Sequence, residues 1–250
     1  MDLGLKDKVA IITGAGSQIG FGKAISLALA KDGCHIVATD IDLEGAKQTA
    51  AEVKNLGRKA IALKLDVANH ADAINVAKVV LTEFGRIDIL VNNAGICTAI
   101  KPFMETTEAD WDKDINVNIR GVMNCTQAVL PDMLQRKSGK IINISSVGGI
   151  DGGKNAAIYA TTKGGVIIFT KSIAMEVAPS GINVNCIAPG FANTGFARRA
   201  PPGMVENFAK TIPLGRLTDV QDIANAVVFL ASDAANDIVG QTIRVSGTVG

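Results

Sequence analysis

Seven short runs rich in Val, Ile and Ala recur along the chain, spaced by segments of helical length. This alternation restricts the fold more than any other feature of the sequence. The runs are Val9–Ile12, His35–Thr39, Ala60–Leu65, Ile87–Val91, Lys140–Ile144, Asn183–Ile187 and Thr242–Val245. The first five are nearly continuous in apolar residues, the pattern of strands covered on both faces. Helices are expected near Gly22–Lys31, Leu43–Asn55, Ala71–Phe84, Thr107–Arg136, Ala157–Ala178 and Val220–Ala231. The alternation predicts an α/β fold with a doubly wound parallel sheet of about seven strands and helices on both faces. Thr107–Arg136 is long for one helix and reads as two helices or one bent one. Pro179 and Gly181 end the Ala157–Ala178 helix.

No proline-rich or charged linker divides the 250 residues, so 1–250 reads as a single domain. The stretch from Gly195 to Thr211 breaks the rhythm and carries Pro201-Pro202-Gly203. An insertion there, between a strand and a helix, reads as a substrate lid over 195–211; the plainer reading is a surface loop. With a formal net charge of +1 and no basic cluster, the chain shows neither a nucleic-acid footprint nor a membrane-surface patch. No apolar run is long enough to span a bilayer, and the opening Met1–Asp7 is too polar for a signal peptide. Cys34, Cys97, Cys125 and Cys186 are scattered, and His35 and His70 lie far apart, so no metal site is expected. Free thiols fit a reduced, cytoplasmic protein.

The first strand runs into Thr13-Gly14-Ala15-Gly16-Ser17-Gln18-Ile19-Gly20-Phe21-Gly22, followed by a helix. Glycines there let backbone approach a phosphate, and the helix start offers unpaired N–H groups and a positive dipole end. The strand–glycine turn–helix context makes this a dinucleotide-binding signal. Asp40 ends the second strand about twenty residues further on. A carboxylate there accepts hydrogen bonds from an adenosine ribose diol and repels a 2′-phosphate, which selects NAD over NADP. Its competing role would be to cap the next helix, a task for which Asp42 is better placed.

Tyr159 and Lys163 lie four apart at the start of a helix, on one face. A free tyrosine has a pKa of ~10, and a neighbouring ammonium lowers it by ~1–3 units, which makes the pair a device for general base catalysis. The spacing alone is a common helical accident. Ser146, just past the strand Lys140–Ile144, changes that, because ligands of doubly wound sheets bind beyond the carboxyl ends of strands. Asn92-Asn93-Ala94-Gly95 likewise follows a strand, although asparagine and glycine also favour a plain turn.

Taken together, the Thr13-Gly14 turn, Asp66-Val67, Asn92-Asn93-Ala94-Gly95, Val117-Asn118, Ser146, Tyr159/Lys163 and Pro189-Gly190 with Thr194 resemble the short-chain dehydrogenase/reductase family over nearly the whole chain. The resemblance implies a single-domain Rossmann-type fold, with Tyr159 as general acid/base and Lys163 lowering its pKa while holding the nicotinamide ribose. It implies Ser146 rather than Ser145 as the substrate-orienting serine, since Ser146 lies thirteen residues before Tyr159. Asn118 would hold a water of the proton relay. Asp66 and Val67 would meet adenine; Asn93, followed by Ala94 and Gly95, would pack near the adenosine ribose. Pro189, Gly190, Ala192 and Thr194 would lie toward the carboxamide. A homotetramer, built partly from the Thr107–Arg136 and Ala157–Ala178 helices, is also implied.

Three positions depart from the family pattern; at one, Ala192 replaces a usual branched residue, where a main-chain contact would survive the change. Gln18 stands where T-G-x-x-x-G-x-G has its middle glycine; matching Gly20-Phe21-Gly22 instead restores the G-x-G and makes Ser17-Gln18 part of a phosphate loop two residues longer. Ile19 completes that loop. Near the end, Val245-Ser246-Gly247 replaces a frequent Val-Asp-Gly.

The resulting expectation is an NAD-dependent enzyme interconverting a secondary alcohol and a ketone. Its pocket is lined by Ile96-Cys97-Thr98, Val147–Asn155 and the lid. Cys97 and Asn155 are candidate substrate contacts, and Arg198 and Arg199 are candidates for an anionic group. Two other readings remain. One is a 3-oxoacyl-thioester reductase, against which Asp40 weighs because such reductases usually favour NADPH. The other is a catalytically silent NAD-binding sensor or scaffold.

Overall fold

A computed structural model of the chain describes residues 3–192, 194 and 209–248. Seven strands form one sheet: β1 (Val9–Thr13), β2 (His35–Asp40), β3 (Ala60–Lys64), β4 (Ile89–Asn92), β5 (Gly139–Ile144), β6 (Ile182–Pro189) and β7 (Thr242–Val245). All pairings are parallel, and the order is β3-β2-β1-β4-β5-β6-β7. The direction of winding reverses between β1 and β4, so a crevice opens there at the carboxyl ends of the strands.

The β-branched runs form strands because both faces are buried. On β1, Ala10 and Ile12 enter one apolar layer, and Val9 and Ile11 enter the other. The first layer packs against α1 (Phe21–Lys31), α2 (Leu43–Asn55) and α8 (Val220–Ala231); the second against α3 (His70–Phe84), α5 (Gly121–Arg136) and α7 (Ala157–Val177). Fully buried Ile12, Leu29, Ile36, Leu90 and Met133 anchor the two layers, each contributing roughly 1.5–3 kcal/mol relative to exposure. The edge strands β3 and β7 are only half-buried. At the amino end of the sheet, buried Asp88 accepts from Val9 N at 2.9 Å and pairs with Arg86 and Arg136, tying β4 to β1 and α5.

Helix starts follow local side-chain chemistry. Asp42 caps α2 by accepting from Gly45 N, and Thr107 with Asp110 forms a capping box on α4 (Glu108–Ile115). The long segment expected at Thr107–Arg136 is α4, a π-turn at Asn116–Arg120, and then α5. A short helix, α6 (Gly148–Asp151), precedes α7; four residues carry too little periodicity to be seen in sequence. Strand β6 runs two residues further than expected, to Pro189, and β4 begins two later, at Ile89. No helix among the described residues is long and apolar enough to cross a membrane.

Candidate active site

The crevice is built first by hydrogen bonds between the ends of β1 and β4. Thr13 Oγ1 accepts from Asn93 N at 3.0 Å and Ala94 N at 2.9 Å. Asn93 Nδ2 donates to the carbonyls of Thr13 at 2.8 Å and Gly14 at 3.0 Å. Asn93 therefore braces the glycine turn directly. Gly14 has φ +68°, and a Cβ there would lie 2.9 Å from Ala94 Cα, so only glycine fits without strain. A Cβ on Gly22 would run into the Gly14 carbonyl. Helix α1 thus begins at Phe21, with Gly20 as its extended N-cap and Gly22 pressed against the turn. Gly20 makes no side-chain cap and the first turn holds no acidic residue. Among the described residues the orphan N–H groups meet no side-chain acceptor, the condition a pyrophosphate needs.

Between Gly14 and Gly20 the loop runs along the end of β2. Ala15 N donates to Thr39 O at 3.0 Å, and Gly16 N donates to Asp40 Oδ2 at 2.7 Å. The other Asp40 oxygen accepts from Asp42 N at 2.9 Å. Each carboxylate oxygen keeps a lone pair for a further donor. Ser17 is exposed and Ile19 half-buried at the loop's outer edge. The Gln18 side chain turns toward α2: its Nε2 donates to Gly16 O at 2.9 Å and Gly45 O at 3.0 Å. Beyond β3, Asp66 accepts from Ala68 N, and buried Val67 offers its carbonyl to Asn124 Nδ2 at 2.8 Å. A Cβ on Gly121 would sit 2.7 Å from Val67 Cγ2, so α5 starts hard against this wall.

Across the crevice, β5 delivers two serines with different partners. Ser145 is buried, and its hydroxyl donates to Lys163 O at 2.7 Å. Ser146 accepts from Gly148 N at 3.1 Å, and its hydroxyl is close enough to the Tyr159 phenol to lower its pKa. Ser146, rather than Ser145, therefore stands at the tyrosine. Lys163 is 4% exposed; its Nζ donates to Ile144 O at 2.9 Å and lies 5.9 Å from the Tyr159 ring centroid. Gly95 closes over it, for a Cβ there would be 2.9 Å from Lys163 Nζ and 3.2 Å from Asn118 Oδ1.

The electrostatics differ from the expectation that Lys163 draws the tyrosine down. Burial pushes the Tyr159 phenol above its usual range; the neighbouring Ser146 hydroxyl opposes this, and the charges of Cys97 and Asp114 add to the rise. Burial lowers Lys163 to about 8, with Cys186 and Asp114 pulling the other way. At neutral pH the pair is therefore a phenol above an ammonium.

Asn118 sits in the π-turn and is fully buried. Its Oδ1 accepts from Ile96 N at 2.8 Å, while Nδ2 donates to Ile96 O at 2.8 Å and Thr162 Oγ1 at 3.0 Å. The Asn118 side chain thereby ties the β4–α4 segment to α7. Thr162 and Asp114 did not stand out in the sequence. Asp114, 1% exposed, accepts from Thr98 N at 3.0 Å and Thr98 Oγ1 at 2.6 Å. The available signal was its position four residues before Asn118, one turn back along the same helix face.

At the end of β6, Pro189 O accepts from Val147 N, and Gly190 packs where a Cβ would meet Ser246 Cα at 2.8 Å. That contact places Ser246, buried, beneath the site wall of its own chain. Ala192 is buried and bridges to Thr218; Thr194 N donates to Ala192 O at 2.8 Å. Cys97 is half-buried close to Tyr159, and its thiol is pushed up to about 11 by burial. Asn155 is exposed with φ +63°, and its carbonyl accepts from Lys101 N at 2.8 Å. That bond ties the α6–α7 loop to the β4–α4 loop. Arg198, Arg199 and 195–208 of the expected lid lie outside the described residues.

Comparison with known proteins matches a family model described as Enoyl-(Acyl carrier protein) reductase to residues 14–249. The 3-oxoacyl-[acyl-carrier-protein] reductase FabG of Thermotoga maritima is 41% identical over 243 residues, 97% of this chain and 98% of its own. The (2S)-[(R)-hydroxy(phenyl)methyl]succinyl-CoA dehydrogenase subunit BbsD of Thauera aromatica is 38% identical, covering 98% of this chain and 97% of its own. Among solved structures, an NAD⁺-bound xylitol dehydrogenase matches with TM-score 0.93 at 30% identity, over 97% of this chain and 99% of that one. A 3-ketoacyl-(acyl-carrier-protein) reductase from Brucella melitensis complexed with NADH matches with TM-score 0.91 at 35% identity, over 97% and 98%.

Proposed function

The chain belongs to the short-chain dehydrogenase/reductase family, and from that premise we propose that it is an NAD(H)-dependent oxidoreductase acting on a 3-oxoacyl thioester and its 3-hydroxy counterpart. The observation that carries the reaction class is the gathering of Ser146, Tyr159 and buried Lys163, its Nζ 5.9 Å from the Tyr159 ring centroid, across the crevice from the glycine turn. The substrate class is supported by the relatives: an oxo or hydroxyl group on the carbon β to a thioester carbonyl is common to the FabG and BbsD names. This reverses the order of the two enzymatic readings taken from sequence. Asp40 had weighed against thioester reduction, yet the Brucella melitensis ketoacyl reductase is a complex with NADH, so a preference for NAD and that substrate class are compatible.

The residues present fit the dinucleotide. Gly14, Ser17, Ile19 and Gly20 would hold the pyrophosphate, Asp40 the adenosine ribose, and Asp66 and Val67 the adenine. Asn93, Ala94 and Gly95 would form the floor, Lys163 would hold the nicotinamide ribose, and Pro189, Gly190, Ala192 and Thr194 the carboxamide side. When bound, nicotinamide supplies or accepts the hydride. The chain does the rest. The Ser146 hydroxyl donates to the substrate oxygen and orients it. Tyr159, held as the phenol by burial, gives that oxygen its proton as negative charge develops there. Lys163, cationic below about pH 8, stabilises the phenolate left behind. The protonated tyrosine is the form that the reductive step consumes.

We read 1–250 as one catalytic domain with a lid at 195–211, and the assembly as a homotetramer. Exposed Ile115, Met123, Ile168 and Met175 on α4, α5 and α7 support the assembly, which sedimentation would test, a monomer opposing it. The four free thiols suit a reducing, cytoplasmic compartment.

NADH oxidation with acetoacetyl-coenzyme A, compared with simple ketones and with NADPH, tests the whole reading. Thioester reduction should exceed that of an unactivated methyl ketone at least about tenfold in kcat/KM, a transition-state difference of ~1.4 kcal/mol. Equal or better turnover of simple secondary alcohols would instead favour the plain alcohol dehydrogenase, the reading that the xylitol dehydrogenase likeness supports. No turnover with any substrate, with NADH still bound, would leave the sensor.

A further inference from the structure

The Gln18 side chain turns to the backbone beside α2, although the enlarged loop's length invites a phosphate role. Its Nε2 donates to Gly16 O and to Gly45 O, at 2.9 and 3.0 Å, and its Oε1 accepts from Lys23 Nζ at 3.0 Å. Lys23 is in turn paired with Glu52 of α2 at 2.7 Å. A second tie runs from Thr49 Oγ1, fully buried on α2, to Ala15 O at 2.7 Å. The loop and the first turn of α2 touch closely, because a Cβ on Gly45 would run into Gly16 O. The far side of Gly16 lies on the acidic residue at the end of β2: its N–H reaches Asp40 Oδ2 at 2.7 Å, and a Cβ there would sit 2.7 Å from Asp40 Cγ.

We propose that Gln18 is a positioning residue for dinucleotide selection, clamping the loop onto α2 so that the Gly16 N–H fixes the Asp40 carboxylate for the adenosine ribose diol. A carboxylate at a strand end is free to rotate about χ2. An N–H on Oδ2 and the Asp42 N–H on Oδ1 stop that rotation and leave one lone pair on each oxygen, the arrangement a vicinal diol requires. The two additional loop residues carry a backbone donor as far as Asp40, and Gln18 stops that stretch from lifting away. Binding is then improved by prior ordering rather than by contact between Gln18 and the ligand. The inference rests on the dinucleotide reading, with Asp40 at the ribose.

The test is a double-mutant cycle in binding, read by titration calorimetry with NADH and NADPH and needing no substrate. Gln18→Met keeps the length of the side chain and removes its donors. It should weaken NADH binding about five- to tenfold, the loss expected for one or two neutral hydrogen bonds, and leave NADPH binding unchanged. In an Asp40→Ser background the same substitution should change NADH binding less than about twofold, within the additivity error for uncoupled sites. Gly45→Ala, whose Cβ pushes on Gly16 O from the other side, should reproduce this pattern and covers the case in which Gln18→Met fails to fold. Equal NADH losses in both backgrounds, or no loss in either, would overturn the role of Gln18. Failure of the underlying reading looks different: either the parent protein binds no NADH, or Asp40→Ser binds it as well as the parent does.

Discussion

Lys163 Nζ lies 5.9 Å from the centroid of the Tyr159 ring and donates its hydrogen bond to the Ile144 carbonyl at 2.9 Å. The two side chains share a helix face, as their spacing requires, but the lysine is held by β5. Its charge is therefore fixed by the sheet, close to the tyrosine and without a bond to the phenol. Desolvation acts on both groups and favours the neutral form of each, which is why Tyr159 rises and Lys163 falls to about 8.

Tyr159→Phe removes the only proton donor proposed to act on the substrate oxygen. Turnover should fall by about 10²–10⁴, the range for a lost general acid, while NADH affinity stays within about twofold of the parent, because Lys163 and the glycine turn are untouched. Steady-state kinetics beside calorimetry checks both halves; retained turnover refutes the assignment.

Reduction should be nearly flat from pH 6 to about 8 and fall above it, as Lys163 loses its proton. Asp114 raises both Lys163 and Tyr159, so Asp114→Asn should move the break to lower pH. The amide can still accept one bond from Thr98, which makes the shift in the pH profile the informative quantity. A variant that loses rate at every pH, with the break unmoved, would assign Asp114 to packing alone.

Burying a lysine whose pKa drops from 10.5 to about 8 costs stability while it is charged. Below about pH 8 the full cost is present; between 8 and 10.5 the unfolded chain holds more protons than the native one, so stability rises with pH. The ceiling is about 3 kcal/mol. Buried Cys34, Cys125 and Cys186, raised to about 11–12, act oppositely above pH 9, since only the unfolded chain then ionises them. The quantity to measure is thus the difference between the parent and Lys163→Met in urea midpoint: it should favour Lys163→Met at pH 7 and narrow by pH 10. A difference that does not depend on pH would contradict the burial argument.

Gly95→Ala places a methyl 2.9 Å from Lys163 Nζ and 3.2 Å from Asn118 Oδ1. Neither partner can retreat, since both are buried and hydrogen-bonded. The variant should lose about 1–3 kcal/mol of stability, as overpacked sites do. Its kcat should fall more than tenfold, about 1.4 kcal/mol in the barrier. Thermal melts with kinetics at 20 °C would separate the two effects; normal kcat would show that Lys163 tolerates displacement.

Much of this protein was legible in the sequence because the signals are local. A strand buried on both faces is largely apolar, so the recurring β-branched runs located the sheet and their spacing implied parallel crossovers. The shifted glycine match could be read from register alone: Gly22 has to meet the Gly14 carbonyl once α1 starts at Phe21. Asp42 as the cap of α2 follows from local chemistry in the same way, while Ser146 as the serine beside Tyr159 followed from the family resemblance.

Other features needed the folded chain, because they depend on what a side chain meets far away in sequence. Gln18 could face a phosphate or α2, and only its approach to Gly45 decides which. Asp114 is an ordinary helix residue until Thr98 comes to it. Asn118, Ile96 and Thr162 come together from three separate segments, and the sense of the Tyr159 shift is set by how much water the packed site excludes. The order of elements and the placing of motifs at strand ends came from sequence by itself, through the short-range rules of periodicity and backbone sterics. The tertiary structure decided which donors those motifs meet and which groups keep their protons, since both depend on distance and burial in three dimensions.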